Sequence, residues 1–484
     1  MRFHIVLRYV ALALLLNALF MGISCLISVW ERDAAFMPLL YSALIISLFA
    51  VFPLIFVPST SHITNKEGLL IVVLSWFISC LSGSLPYILY GGPFSFTNAW
   101  FESVSGFTTT GSSILSNIEA LPSGLLFWRA STHWIGGIGI IIFVLSVLPF
   151  LGVAEMVLFR SEISSMVKEN FHHRARKAIQ ILAGIYVGLT FLETILLLIF
   201  GMNLFDALTH SFATIATGGF SSKNASIAYY NSPAIENVIT IFMILSGVHF
   251  ALLFSVVRGN IRELWHSSVV RYYFLALLAG VLITTWNVHG EIFQGWDRSF
   301  RYALFNVVSV GTSTGFATTD TSIWPPLAQV LLIFFALQCA CAGSTSGGIK
   351  TDRIVLLGKS FMRHLKKIMH PNAVIPIRID GNAVDDELVS KGVLYVAIYL
   401  LIVFIATLLL LLIGVHITEA FSGTVATMGN VGPGLGSVGS SGNFSQLPSA
   451  GKWILSVTML LGRLEIYAFF IFFIPAQWKK SVSY

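Results

Sequence analysis

Thr97–Gly111 reads TNAWFESVSGFTTTG, and the same pattern returns as FDALTHSFATIATGG at Phe205–Gly219, RYALFNVVSVGTSTG at Arg301–Gly315 and TEAFSGTVATMGNVG at Thr418–Gly432. Twelve residues before each final glycine stands an alanine: Ala99, Ala207, Ala303 and Ala420. Seven before it stands Val104, Phe212, Val308 or Val425, and six before it a small residue, Ser105, Ala213, Ser309 or Ala426. The glycines lie 108, 96 and 117 residues apart, which is one helix–loop–helix unit each. A single such match would be weak. Four in register mark an internal repeat, the feature that most constrains a fold.

The apolar part of each pattern is about a dozen residues, too short to cross a bilayer, which takes roughly 20. Around these pieces lie longer apolar runs at Tyr9–Val29, Phe36–Val57, Gly68–Tyr90, Ala130–Ala154, Ala178–Leu204, Asn237–Val257, Tyr272–Val288, Leu327–Gly348, Gly392–Val415 and Trp453–Gln477. The expected fold is therefore an all-α polytopic membrane protein. Four pseudo-symmetric helix–pore-loop–helix repeats surround one pore, and two N-terminal transmembrane helices precede them. The corresponding boundaries are 1–67 for the hairpin, then 68–176, 177–270, 271–390 and 391–484 for the repeats.

Composition agrees. Of 484 residues, 56% are hydrophobic and 10% charged, against roughly 25% charged in a soluble protein. Lipid must be the solvent for much of the surface. Cys25, Cys80, Cys339 and Cys341 all sit in apolar stretches and read as small buried residues, not as a disulfide or metal framework. The net charge of +6 does not indicate nucleic acid. With both termini placed in the cytoplasm, 21 of the 28 lysines and arginines fall on that side, as the positive-inside rule requires. The short pieces then enter from outside.

Re-entrant half-helices of this kind point their partly negative C-terminal ends at the membrane centre, where a cation is favoured. The loops that follow are rich in Thr, Ser and Gly and can offer backbone carbonyls in place of a cation's water shell. Glycine suits such a turn because it accepts positive φ. The plainer alternative, close helix packing at small residues, does not explain their recurrence in register. The candidate filter residues are Thr109, Thr110 and Gly111, then Thr217, Gly218 and Gly219, then Ser313, Thr314 and Gly315, and finally Asn430, Val431 and Gly432. Gly218–Gly219 leaves room for a one-residue slip, and Pro433 after Gly432 points to a distorted fourth strand.

Two further features lie at membrane depth. The run Gly343, Ser344, Thr345, Ser346, Gly347 and Gly348 interrupts an apolar span, and three glycines there disfavour a continuous helix. Broken helices at this depth line cavities. Ile349 separates Gly348 from Lys350, so the phosphate-binding Gly-Lys pair is missing and no bound nucleotide is expected. Lys350 itself is expected as an interfacial anchor. Arg463 stands in the last span, where a charge faces a cavity or a partner. It reads as an electropositive constriction, or else as an ion pair with Glu465 or Glu193. Glu102, Asp206 and Glu419 near the half-helix starts suit the positive end of the helix dipole, or a cation-attracting mouth. The basic stretch Lys359–His370 is an inside loop or a docking face.

These residues resemble the Trk/Ktr/HKT superfamily of potassium transporters, most closely its bacterial TrkH/TrkG branch. The matching motifs are TTTGSS at Thr108–Ser113, ATGGFS at Ala216–Ser221, TSTGFAT at Thr312–Thr318, NVGPGLG at Asn430–Gly436, CAGSTSGGIK at Cys341–Lys350 and LGRLEIY at Leu461–Tyr467. The resemblance implies that the four glycines belong to a potassium selectivity filter and that Gly343–Gly348 is a loop obstructing the pore until gating moves it. It also implies a bacterial inner-membrane homodimer, one pore per protomer, with a cytosolic nucleotide-binding partner resembling TrkA. The preference for potassium over sodium rests on this resemblance. Two other readings stand beside it. A potassium symporter coupled to protons or sodium would need a titratable group on the path, for which Glu193 is the candidate. A lipid-modifying enzyme would need clustered His, Asp or Glu, and His172–His173 alone is too little. No catalytic residues are expected.

Overall fold

The computed structural model describes residues 2–58, 60, 63–151, 171–466 and 469–470. Two long helices open the chain, α1 (Phe3–Glu31) and α2 (Phe36–Phe56), packed as a hairpin. Asp33 organises their junction. Its carboxylate accepts Ala35 N at 2.9 Å and Gly124 N at 2.9 Å, fastening the hairpin to the start of α5 (Ser123–Leu151). At the other end of α1, Arg2 donates from Nη2 to Glu67 at 2.9 Å. Glu67 also closes a capping box with Thr64 that starts α3 (Asn65–Tyr90), a sequence-local signal.

Beyond this hairpin, four inner helices each lie between two flanking helices. α4 (Phe96–Phe107) lies between α3 and α5, and α7 (Leu204–Ile215) between α6 (Phe171–Ile199) and α8 (Pro233–Ser246). α12 (Trp296–Gly311) follows α11 (Ser268–Val288) and precedes α13 (Pro326–Gln338); α16 (Ile417–Met428) stands between α15 (Asp386–Leu412) and α17 (Ser449–Arg463). These four inner helices have 12, 12, 16 and 12 residues; α4, α7 and α16 are buried over most of their length and α12 over its C-terminal part, so they form the centre and the flanking helices the wall. Six described helices are long and apolar enough to cross a membrane: α1, α2, α3 from Lys66, α6 from Ile179, α11 and α15. Their outer faces expose rows of large apolar side chains such as Leu48, Phe49, Phe191, Leu282 and Phe404, a surface suited to lipid.

Among the described residues, three of the ten expected spans are not continuous helices. The run Asn237–Val257 is bent by 108° between α8 and α9 (Phe250–Val257). Gly247, Val248 and His249 form the bend, and Gly247 lies so close to Tyr273 that a Cβ there would overlap the tyrosine hydroxyl. The run Leu327–Gly348 is helical only to Gln338. The run Trp453–Gln477 is helical through Arg463, and residues 467–468 and 471–484 lie outside the described residues. The described residues also include the short α10 (Ile261–His266), the 19-residue amphipathic α14 (Thr351–Met369) and a small hairpin at Arg378–Ile379 and Asn382–Ala383. All four cysteines are buried thiols.

Candidate ion pathway

Each half-helix ends in the same way. Thr110, Gly218, Thr314 and Val431 donate their backbone N–H to the carbonyls of Ser105, Ala213, Ser309 and Ala426, every bond 2.8 Å long. The residue between takes a left-handed conformation, with φ of 50° at Thr109, 53° at Thr217, 57° at Ser313 and 52° at Asn430. This is a Schellman-type cap, built at all four positions on a residue other than glycine, which is uncommon. The acceptor of this six-to-one bond is in each case the small residue that recurs six positions before the glycine. The cap turns the chain off the helix axis, and the next residue but one is the aligned glycine, again at positive φ: 84° at Gly111, 75° at Gly219, 83° at Gly315 and 102° at Gly432.

The four turns close on one another. A Cβ on Gly111 would overlap the Gly218 carbonyl, one on Gly219 the Thr314 carbonyl, and one on Gly315 the Val431 carbonyl. On Gly432 it would stand 2.7 Å from the Thr110 carbonyl. Each glycine therefore presses against the carbonyl preceding the glycine of the next repeat, and the fourth returns to the first. Gly219, not Gly218, holds the aligned position. The fourth turn keeps the common cap and is only looser than the others, so the distortion expected from Pro433 is confined to that wider approach. Above the ring opens a cavity of about 150 Å³ lined by all four glycines together with Ser112, Ser221 and Asn443.

Residues 339–350 make a side excursion between α13 and α14. Ile349, Lys350 and Thr351 donate to the carbonyls of Leu337, Gln338 and Ala340 at 3.0, 2.9 and 2.9 Å, which closes a neck. The tip reaches the helix caps. Thr345 Oγ1 donates to Ile215 O at 3.0 Å and lies 3.3 Å from Thr217 Oγ1, while Ser313 Oγ bonds Ser346 Oγ at 3.0 Å and accepts Gly347 N at 3.1 Å. Gly347 packs against Gly429 and Asn430. Arg463 donates to the carbonyls of Thr345 and Gly136. The bend between α8 and α9 holds the excursion from the side, with Cys341 N on Gly247 O at 3.0 Å and Phe250 N on Gly343 O at 3.2 Å. This docking elbow is not anticipated from the sequence, although Gly247 and a histidine inside an apolar run are its trace.

Several charged residues sit otherwise than expected. Arg463 has no carboxylate partner among the described residues; Glu465 instead pairs with Arg353 at 2.6 Å. Lys350 is buried at the excursion's neck with φ of 73°, not an interfacial anchor. Asp206 does lie in the first turn of its half-helix, where Asn203 caps the chain, and so does Glu419. Glu102 does not. It stands in the middle of α4, wholly buried, and pairs with Arg129 of α5 at 2.6 Å. Glu193 is buried on α6 beside Thr214 of the second half-helix and is not among the residues lining the cavity.

Comparison with known proteins gives a consistent set of relatives. A family model for TrkH, described as a cation transport protein, matches residues 41–481. The Trk system potassium uptake protein TrkH of Escherichia coli (strain K12) is 37% identical over 491 aligned positions, covering 99% of this chain and 100% of that one. The Trk system potassium uptake protein TrkI of Halomonas elongata is 35% identical, with 98% and 97% covered. Among solved structures, the potassium transporter TrkH from Vibrio parahaemolyticus superimposes with a TM-score of 0.90 at 33% identity, covering 99% of this chain and 100% of that one.

Proposed function

Since the chain belongs to the TrkH family of cation transport proteins, we propose that it carries potassium into a bacterial cell through the ring of four loops, with residues 343–348 as the gate. The observation that carries this reading is the closed contact of each aligned glycine with the carbonyl of the next repeat. Carbonyls held at such close range, with hydroxyls and no charged side chain in Thr109–Gly111, Thr217–Gly219, Ser313–Gly315 or Asn430–Gly432, can replace the hydration shell of a monovalent cation. The C-terminal ends of four buried half-helices each add roughly half a negative charge to the same place. No ligand carboxylates surround the ion, so it binds weakly enough to move on.

The tip of the 339–350 excursion blocks the path beneath this ring, and its neck offers a pivot. Opening requires breaking the hydroxyl contacts of Thr345 and Ser346 and the tie from Arg463. Both termini lie in the cytoplasm in this reading, the repeats have the boundaries given by their loops, and the protein is an inner-membrane homodimer. α14 carries Arg363, Lys366 and Lys367 beside exposed Phe361 and Met362, a face suited to a cytosolic regulatory subunit.

Potassium and sodium flux into proteoliposomes tests the proposal. Uptake favouring potassium, with that preference lost in Gly315→Ser, supports it. Absence of cation flux under any gradient, with and without a regulatory subunit, would leave only a shared fold.

A further inference from the structure

Superimposing the four repeats on their glycines exposes a second recurrent position. Nine residues before the glycine stand Glu102, His210, Asn306 and Gly423. The first three side chains are buried at 0%, 0% and 2% exposure, and each reaches the strand that leaves the ring. Glu102 accepts Ser113 Oγ at 2.9 Å and Ile114 N at 3.0 Å. His210 Nε2 bonds Ser221 Oγ at 2.8 Å. Asn306 Nδ2 donates to Thr318 Oγ1 at 2.9 Å. Those partners lie two or three residues beyond the glycine. In the fourth repeat the position is Gly423, and the neighbouring Ser422 hydroxyl accepts Leu435 N at 2.8 Å instead.

Chemically unrelated side chains thus do one job in three repeats: they tie the middle of the half-helix to the far side of the glycine turn. The turn is held at both ends, by the helix cap on one side and by this brace on the other. Repeats one and two are further joined to each other. Arg129 donates from Nε to Glu102 Oε1 at 2.6 Å and from Nη1 to Ser221 O at 3.0 Å, and its guanidinium lies 3.4 Å from the centre of the Phe220 ring. Phe220 in turn stacks on His133 with ring centres 4.0 Å apart. Ser221 therefore receives both His210 and Arg129, and one buried network runs from Ser113 through Glu102 and Arg129 to Ser221 and His210.

We infer that Glu102, His210 and Asn306, with Arg129 linking the first two, are positioning residues that set the spacing of the carbonyl ring and thereby its discrimination between potassium and sodium. The inference rests on the pore reading above. None of these side chains needs to touch the ion. Selectivity is a difference between two affinities, so a small loosening of carbonyls that still bind both ions changes the ratio more than the total flux. A buried carboxylate or guanidinium can be held in this place only while its partner and hydrogen bonds are intact.

The test is the potassium-to-sodium flux ratio in proteoliposomes for the whole protein and for Glu102→Gln, Arg129→Gln, His210→Phe, His210→Gln and Asn306→Leu, each checked for folding by size exclusion and thermal unfolding. Asn306→Leu is uncharged and close in volume, so it reports even where a charge variant fails to fold. The expected result is a ratio lowered about fivefold, the worth of one net hydrogen bond, with total cation flux largely retained. His210→Gln, which keeps a polar group at the Nε2 position, stays nearer the wild type than His210→Phe. Folded variants with an unchanged ratio overturn the inference while the pore reading stands. A wild type that passes no cations, or does not discriminate, overturns both.

Discussion

A Cβ on Gly315 would overlap the carbonyl oxygen of Val431, its neighbour from the next repeat. The glycine also holds φ at 83°, so both space and backbone exclude a side chain there. Gly315→Ala should lower potassium flux by about tenfold or more, given strain of roughly 1–3 kcal/mol for such a conformation. Gly432→Ala should be comparably damaging: its approach to Thr110 is looser, but a Cβ would still stand 2.7 Å from that carbonyl and its φ of 102° is the most positive of the four. Flux near wild type at either position would contradict the ring geometry.

Arg463 ties the tip of the 339–350 excursion to α5, donating to the Thr345 and Gly136 carbonyls. Arg463→Met removes both ties at similar length. Ion flux in the absence of any regulatory subunit is expected to rise several-fold, because about one net hydrogen bond of closure is lost per contact. An unchanged or lower basal flux would assign Arg463 to packing.

Glu465 and Arg353 form a buried pair at 2.6 Å near the end of α17. Glu465→Gln removes the carboxylate of this pair, and breaking a buried pair costs about 3–5 kcal/mol. Thermal unfolding in detergent should fall markedly, whereas Lys391→Gln at the exposed pair with Glu387 should hardly alter it.

Asp33 joins the N-terminal hairpin to α5 through Gly124 N. Asp33→Ala should lower stability by about 1–3 kcal/mol and leave the potassium-to-sodium ratio untouched, since the hairpin lies outside the ring. A changed ratio would mean that the hairpin reaches the filter.

Glu193→Gln keeps the shape of the side chain beside Thr214 and removes its ability to ionise. Potassium flux and its response to external pH should be unchanged. If a pH or sodium dependence of the wild type vanished in this variant, coupled transport would replace channel-like permeation.

The repeat was legible because its defining interactions are local. A helix cap whose 2.8 Å bond spans five residues sets a turn residue and a glycine at fixed spacings, and those spacings survive in four otherwise different stretches. The apolar runs were legible for the same reason, as a bilayer demands about 20 residues at a time. Glu102 does not share the place of Asp206 and Glu419 at the helix start, since it stands four positions further along its own repeat. The elbow at Gly247–His249 was hidden in a run that is apolar on average.

From the sequence alone came the membrane class, the four turns and the break at 343–348, each written in a short window by backbone geometry and hydrophobic length. Only the tertiary structure decided which carbonyl each glycine meets, which charge neutralises which, and where the broken segment docks. Glu102 and Arg129 are 27 residues apart and Thr345 and Arg463 are 118 apart. Such pairs form because packed helices bring them together in a low-dielectric interior where a buried polar group must find a partner. The choice among many possible partners is made by the assembled fold and leaves no spacing in the chain.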